Sequence, residues 1–376
     1  MVIARDIGHR AARSTAARPT AVDDPDHLLH ERYRGPTNRS RTLEAYYALK
    51  PLMPRRLQLA LRRAYAPRQA KAAFPAWPLE SSLVEHRDAQ LLEALRSSGG
   101  DRLAFVNWWP ERRRFAAVLT HDVEGPAGVA NVMRVIELER RYGFVSSWNF
   151  CAEWYAIPDG LFGEIRAAGC EIGLHGILHD GKLFSDRATF EANLPKIAHY
   201  VSTWGVAGFR SPATGRNAAW MHELPVEYDS SFPDSDPFEP QPGGCCSIMP
   251  FFFGDVVELP ITLTQDHTVW QILRSPGIEL WREKTEWLRS RHGLVNLIVH
   301  PDYVVEQRYL DRYEAFLEYL AGLEYCWHAL PRDVARWWRQ REGLDVAGGA
   351  GIDGATDYPA SVAHACVRDG RLVVET

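Results

Sequence analysis

The chain of 376 residues contains no run of about eighteen apolar residues, so nothing in it reads as a transmembrane helix. Its opening stretch, MVIARDIGHRAARSTAARPTAVDD, lacks the continuous apolar core of a secretory signal, and a cytoplasmic location is the expectation. Cysteine is sparse: Cys151, Cys170, Cys245, Cys246, Cys326 and Cys366 form no CxxC pair. A chain this long, 46% hydrophobic, does not need disulfide staples, so reduced thiols are expected, the adjacent Cys245-Cys246 included. No internal repeat is present. Acidic residues are scarce in the first part only: residues 1–114 carry 21 Lys and Arg against 12 Asp and Glu, and the remainder carries 22 against 36. An acidic body argues against binding a phosphate backbone, and no nucleic-acid partner is expected. The basic N-terminal part reads either as a solvated face or as a surface for an acidic partner or an anionic membrane. Oligomeric state is not legible from any of these features.

The rest of the chain divides by pattern. Residues 1–42, polar and rich in Arg, Asp and Pro, read as a disordered leader. Residues 43–110 read as a mostly helical extension, with Leu43-Glu44-Ala45-Tyr46-Tyr47 and Arg56 to Leu61 at helical spacing, interrupted by Pro51, Pro54 and Pro67. Residues 111–342 alternate short apolar runs with amphipathic stretches. Phe115 to Thr120, Val145 to Cys151, Cys170 to Leu174, Val206 to Phe209, Val256 to Leu259, Leu294 to Val299 and Cys326 to Leu330 are strand candidates. Ala127 to Tyr142, closed by Gly143, is a helix, and other helices separate several of the strands. Repeated strand-then-helix units imply an α/β fold with a parallel sheet or barrel. Residues 343–376, beginning with the Gly348 to Gly354 stretch, read as a flexible tail.

In a β/α fold, functional side chains gather where strands end. The polar residues that follow the strand candidates are His121, Asp122 and Glu124, then His175 and His179, then Arg210, then His300 with Asp302. The segment Gly173-Leu174-His175-Gly176-Ile177-Leu178-His179-Asp180 places two imidazoles four residues apart. A metalloprotease would need Glu after the first His, on a helix, whereas this chain has Gly176 and reads as a strand end running into a loop. Carboxylates, two histidines, an arginine and a separate histidine make up the parts of a metal-assisted hydrolase.

From about Phe115 to Trp338 the chain resembles the polysaccharide deacetylases of the NodB-homology type, carbohydrate esterase family 4. Thr120-His121-Asp122-Val123-Glu124-Gly125-Pro126 is similar to the family's Thr-Phe-Asp-Asp-Gly. His175 to His179 is similar to its His-Ser/Thr-x-x-His, Arg210-Ser211-Pro212 to its Arg-x-Pro, and Leu297-Ile298-Val299-His300-Pro301 to its hydrophobic strand ending in His. The resemblance implies a deformed (β/α)7 barrel holding one divalent metal, zinc foremost, with cobalt or nickel suited to the same ligands. It implies that Glu124, His175 and His179 hold the metal, that Asp122 is the base toward a metal-activated water, that Arg210 holds Asp122 ionised, and that His300 protonates the leaving amine. It also implies substrate contacts from Asp229 and Pro212, and an N-acetylated carbohydrate as substrate.

The first motif departs from the family, whose two carboxylates are adjacent. Here they flank Val123, so Asp122 and Glu124 can exchange the roles of base and ligand. His121 reads as a residue that supports the ligands from behind or packs, not as a ligand. Gln265-Asp266-His267-Thr268 is a second candidate for the acid histidine, ranked below His300. Trp108, Trp109, Trp148, Trp154 and Trp220 are either sugar platforms or core residues, and Trp337-Trp338 is barrel packing. Two other functions stay open: hydrolysis of a small amide or cyclic ureide on the same barrel, and a glycan-binding barrel without turnover.

Overall fold

The computed structural model describes residues 24–34, 53–347 and 351–376. Residues 1–23, the helical stretch expected at Leu43 to Tyr47, Pro51 and Gly348 to Ala350 lie outside the described residues. Ahead of the barrel come α1 (Pro25–Leu29), α2 (Arg55–Gln69), α3 (Ser82–Ser98) and strand β1 (Arg102–Val106). Pro54 is the N-cap of α2, and Pro67 sits inside its last turn without ending it. Residues 24–34 are not a loose leader. Leu28 is buried, Glu31 pairs with the buried Arg216 at 2.5 Å, and the Tyr33 hydroxyl donates to the Gly244 carbonyl at 2.7 Å.

The barrel begins with β2 (Phe115–Val123), all nine residues of which are buried. A parallel strand covered on both faces has to be apolar throughout, which explains Phe-Ala-Ala-Val-Leu. Helix α4 (Pro126–Arg141) starts on a proline at its first turn and ends before Gly143, whose φ of 78° only a residue without Cβ adopts freely. The chain continues through β3 (Ser147–Phe150), α5 (Leu161–Ala167), β4 (Glu171–Leu174), α6 (Arg187–Trp204), β5 (Gly208–Phe209) and β6 (Tyr228–Asp229). It then forms β7 (Phe251–Phe253), β8 (Val256–Glu258), α7 (Glu279–Ser290), β9 (Leu294–Ile298), α8 (Gln307–Ala321), β10 (Cys326–His328) and α9 (Pro331–Glu342).

Parallel pairing runs β9-β2-β3-β4-β5-β6-β8. Beyond β8 the chain reaches β9, where Thr262 and Leu263 donate backbone N–H groups to the Asn296 carbonyl at 3.2 and 3.0 Å. These seven strands form a deformed (β/α)7 barrel, irregular because β5 and β6 are only two residues long. Strand β10 adds beside the start of β2, and β7 pairs antiparallel with β8.

The last residues were expected to be a flexible tail, and the pairing overturns this. After β11 (Asp345–Ala347) and β12 (Gly351–Asp353), the hairpin β13 (Val362–Arg368) and β14 (Arg371–Glu375) forms an antiparallel sheet with β1. Ala363 and Ala365 are fully buried there. The small side chains carry little hydrophobic signal, but they fit closely under the extension. Trp109, Trp148 and Trp337 are fully buried core residues and Trp108 nearly so.

Candidate active site

Strand register sets the first contacts. Asp122 of β2 lies opposite Asn149 of β3, which lies opposite Gly173 of β4, so the three share one face at one level. The Asn149 amide donates to Asp122 Oδ1 at 2.8 Å. A Cβ on Gly173 would come within 2.0 Å of Asn149 Oδ1, so glycine there makes room for the Asn149 side chain.

The arginine that follows β5 enters the same layer. Arg210, 1% exposed, donates from Nη2 to Ser230 Oγ at 3.0 Å and Thr120 Oγ1 at 3.2 Å, and its Nη1 stands 3.6 Å from Asp122 Oδ2. Arg210 therefore acts on Asp122 as a nearby charge, while Asn149 supplies the hydrogen bond. Burial works to raise the Asp122 pKa. Arg210, His175, His300 and the Asn149 amide outweigh it and hold the carboxyl below its usual range.

His175 and His179 lie where β4 runs into a loop, not on a helix, and Gly176 between them has a φ of 71°. His175 Nδ1 is 3.0 Å from the Arg210 carbonyl. A carbonyl only accepts, so Nδ1 carries the hydrogen and Nε2 presents a lone pair. That Nε2 is buried without a hydrogen-bond partner. His179 Nε2 is 3.0 Å from Glu124 Oε1 but not aligned for a hydrogen bond. Burial pushes the His175 pKa down to about 4, whereas at His179 burial is outweighed by Glu124, which raises it. Ligand atoms of Glu124, His175 and His179 all lie within 4.8 Å of one another. One carboxylate and two imidazoles with unpartnered nitrogens suit a divalent cation, so these residues fit the metal that the family resemblance implies.

His300 follows β9 on the other side. Its Nδ1 is 2.6 Å from Asp266 Oδ1, its backbone N–H donates to Asp266 Oδ2 at 3.0 Å, and its Nε2 stands 3.6 Å from Glu124 Oε1. Burial lowers the His300 pKa, but Asp266 and Glu124 prevail and raise it to about 10. The Tyr303 hydroxyl reaches Glu124 Oε2 at 3.3 Å.

Solved structures share the fold. A Mycobacterium smegmatis protein classed as a polysaccharide deacetylase superposes with a TM-score of 0.50 at 20% identity, covering 63% of this chain and 94% of its own. PuuE allantoinase superposes with a TM-score of 0.46 at 15% identity over 61% of this chain and 92% of its own. No protein-family model matches the chain, and no curated protein sequence does. This is the polysaccharide-deacetylase fold.

Within it, the structure places the other residues singled out from the sequence. Asp229 faces no groove. It is fully buried, and its oxygens accept from Ser231 N at 2.9 Å and Ser231 Oγ at 2.8 Å, while Ser231 Oγ accepts in turn from Ser211 N at 2.8 Å. It is a strut beneath the Arg210 loop. Pro212 is buried against Gly176, where an added Cβ would meet its ring at 2.9 Å. Asp302 caps the start of α4, accepting from Gly128 N at 3.0 Å and Glu124 N at 2.9 Å. His121 is buried between the Val299 carbonyl and Glu139, at 2.8 and 2.7 Å, and stacks on Trp148. His267 Nε2 is 3.4 Å from Arg55, and Asp266 engages the His300 ring and the His267 backbone N–H.

Sequence reasoning missed Asp266 and Asn149. Asn149 left a signal, being polar in the middle of a buried strand. Asp266 left a weaker one, since the run before it does not end in a regular strand.

Proposed function

We propose that the chain is a metal-dependent hydrolase that removes an N-acetyl group from an amino-sugar unit. The observation that carries this reading is the pair of dedicated partners beside the Glu124, His175 and His179 cluster: Asp122 is held by Asn149 and Arg210, and His300 by Asp266. Glu124, His175 and His179 would hold the metal, which when bound polarises the amide carbonyl and acidifies a water. Asp122 lies outside that trio and takes the role of base. It accepts a proton from the water as the water oxygen adds to the carbonyl carbon. Arg210 keeps Asp122 anionic until it does so, and Asn149 aims Oδ1. Asp266 fixes His300 with Nδ1 engaged, leaving Nε2 to donate a proton to the nitrogen as the C–N bond breaks. The products are acetate and a free amine.

The carbohydrate substrate draws support from the shared fold and from Trp154. That side chain is half exposed, and its ring centroid is 6.5 Å from that of His179, a place where it can stack on a sugar ring. The test is metal content by mass spectrometry with acetate release from chitooligosaccharides, on wild type, His175→Ala and Glu124→Ala. One metal per chain and acetate release, both lost in the two variants, is the expected result. A wild type that takes up no metal after reconstitution would overturn the proposal.

A further inference from the structure

Asp302 stands two residues beyond His300 and has no part in the chemistry assigned to Asp122, Glu124 and His300. Helix α4 begins at Gly125, which has no side chain to cap it. A serine or aspartate at that position would serve a helix start equally well. The cap comes instead from the loop after β9. Asp302 Oδ1 accepts from Gly128 N at 3.0 Å, but Oδ2 reaches past the helix to Glu124 N at 2.9 Å. Gly128 makes room for this carboxylate: the three atoms that an added Cβ would meet first all belong to Asp302, the nearest at 2.1 Å. Glycine is disfavoured inside a helix, and Asp302 accounts for it here.

The other side of the same peptide is held as well. The Tyr155 hydroxyl donates to the Val123 carbonyl at 2.5 Å and accepts from Cys151 N at 3.0 Å, bridging the ends of β2 and β3. Both polar atoms of the peptide between Val123 and Glu124 therefore bond to side chains, where the pairing of β2 with β3 stops. At the far end of the Glu124 side chain, the Tyr303 hydroxyl donates to Oε2 at 3.3 Å. Oε1 is left toward the imidazoles, 3.0 Å from His179 Nε2 and 3.6 Å from His300 Nε2.

We propose that Asp302, Tyr155 and Tyr303 are positioning residues, which aim Glu124 Oε1 at the metal position and so set the affinity for the metal. A glutamate has one more rotatable bond than an aspartate, so an unrestrained Glu124 loses more freedom on taking a cation. Holding its peptide and its second oxygen removes that loss before the cation arrives. Groups behind a ligand commonly orient it in this way. The inference rests on the reading of Glu124, His175 and His179 as a metal site and is independent of the substrate.

The experiment measures zinc affinity of the full chain by competition with a chromophoric chelator, and the visible spectrum of the cobalt-loaded chain. Asp302→Asn, Gly128→Ala and Tyr155→Phe should each weaken zinc binding about tenfold to a hundredfold, and Tyr303→Phe about tenfold. The cobalt bands should change in each. Gly128→Ala should cost no further affinity in an Asp302→Ala background, where the atoms it displaces are gone. Tyr228→Phe is the control: it loses a buried bond to Glu171 at 2.5 Å, at the start of β4, and should keep full affinity. Circular dichroism of the metal-free chains verifies that each variant folds. Unchanged affinity and cobalt spectra in Asp302→Asn and Tyr155→Phe would overturn the proposal and leave two structural bonds. Independent, additive losses from Gly128→Ala and Asp302→Ala overturn it too. A wild type that takes up no zinc removes the metal reading itself, and the positioning role with it.

Discussion

Gly173 offers the sharpest test of the way Asp122 is held. Its missing Cβ is the space that Asn149 occupies, since a methyl group would stand 2.0 Å from Asn149 Oδ1. Gly173→Ala therefore forces the amide off Asp122. The cost has two parts: overpacking of about 1–3 kcal/mol, and loss of a hydrogen bond to a buried carboxylate, about 1.5–3 kcal/mol. Together they put the destabilisation at about 2.5–6 kcal/mol. Asn149→Ala alone loses the bond without the clash and costs about 1.5–3 kcal/mol. With the amide gone, Gly173→Ala meets nothing nearer than Ser147 Oγ at 3.6 Å, an ordinary contact. In that background the same substitution becomes neutral or stabilising by up to about 1 kcal/mol, because alanine restricts the unfolded chain. Denaturant unfolding of the four proteins measures the coupling directly. Acetate release should fall in Gly173→Ala by about tenfold to a hundredfold as Asp122 loses its aim, with metal content retained. Equal costs for Gly173→Ala in both backgrounds would refute the reasoning.

Further outcomes follow from the same geometry. Asp122→Asn should retain the metal and lose acetate release by at least about a hundredfold, whereas Glu124→Ala should lose both; metal analysis separates them. Asp266→Asn should lower kcat by about a hundredfold to ten-thousandfold with KM and metal content unchanged, by analogy with the carboxylate that orients a catalytic histidine. Trp154→Ala should raise KM about threefold to tenfold with little change in kcat, read from initial rates on an oligosaccharide. At Glu139, burial works to raise the pKa, but His121, Ser146 and Tyr313 hold it below the usual range. Its contribution to stability is therefore present above the unfolded carboxylate pKa of about 4.3 and is lost as pH falls through the folded value. Glu139→Gln should lower stability at pH 7 by about 3–5 kcal/mol and flatten the acid limb of unfolding against pH.

Much of this was legible because parallel barrels write their pattern locally. The buried strand Phe115 to Val123 is apolar because both of its faces are covered, and the helix from Pro126 to Arg141 shows its proline start and glycine stop. Polar residues directly after such strands then mark the rim. The first motif resisted reading: Asp122 and Glu124 are chemically interchangeable in the sequence, and only the structure shows that Asn149 and Arg210 stand beside Asp122. The hairpin Val362 to Glu375 resisted as well, because its pairing with Arg102 to Val106 joins distant parts of the chain and its buried residues are two alanines and a cysteine.

The sequence by itself determined the β/α architecture of the body and the residues that reach one end of it, because strand burial and strand termination depend on near neighbours. The tertiary structure decided which of those residues work together. Asp266 became the partner of His300, Gly173 became the space for Asn149, Asp229 became a strut instead of a substrate contact, and Asp302 became a helix cap. Each of these depends on contacts across the barrel. Distances between separate strands follow from register and closure, and no local pattern of residues encodes them.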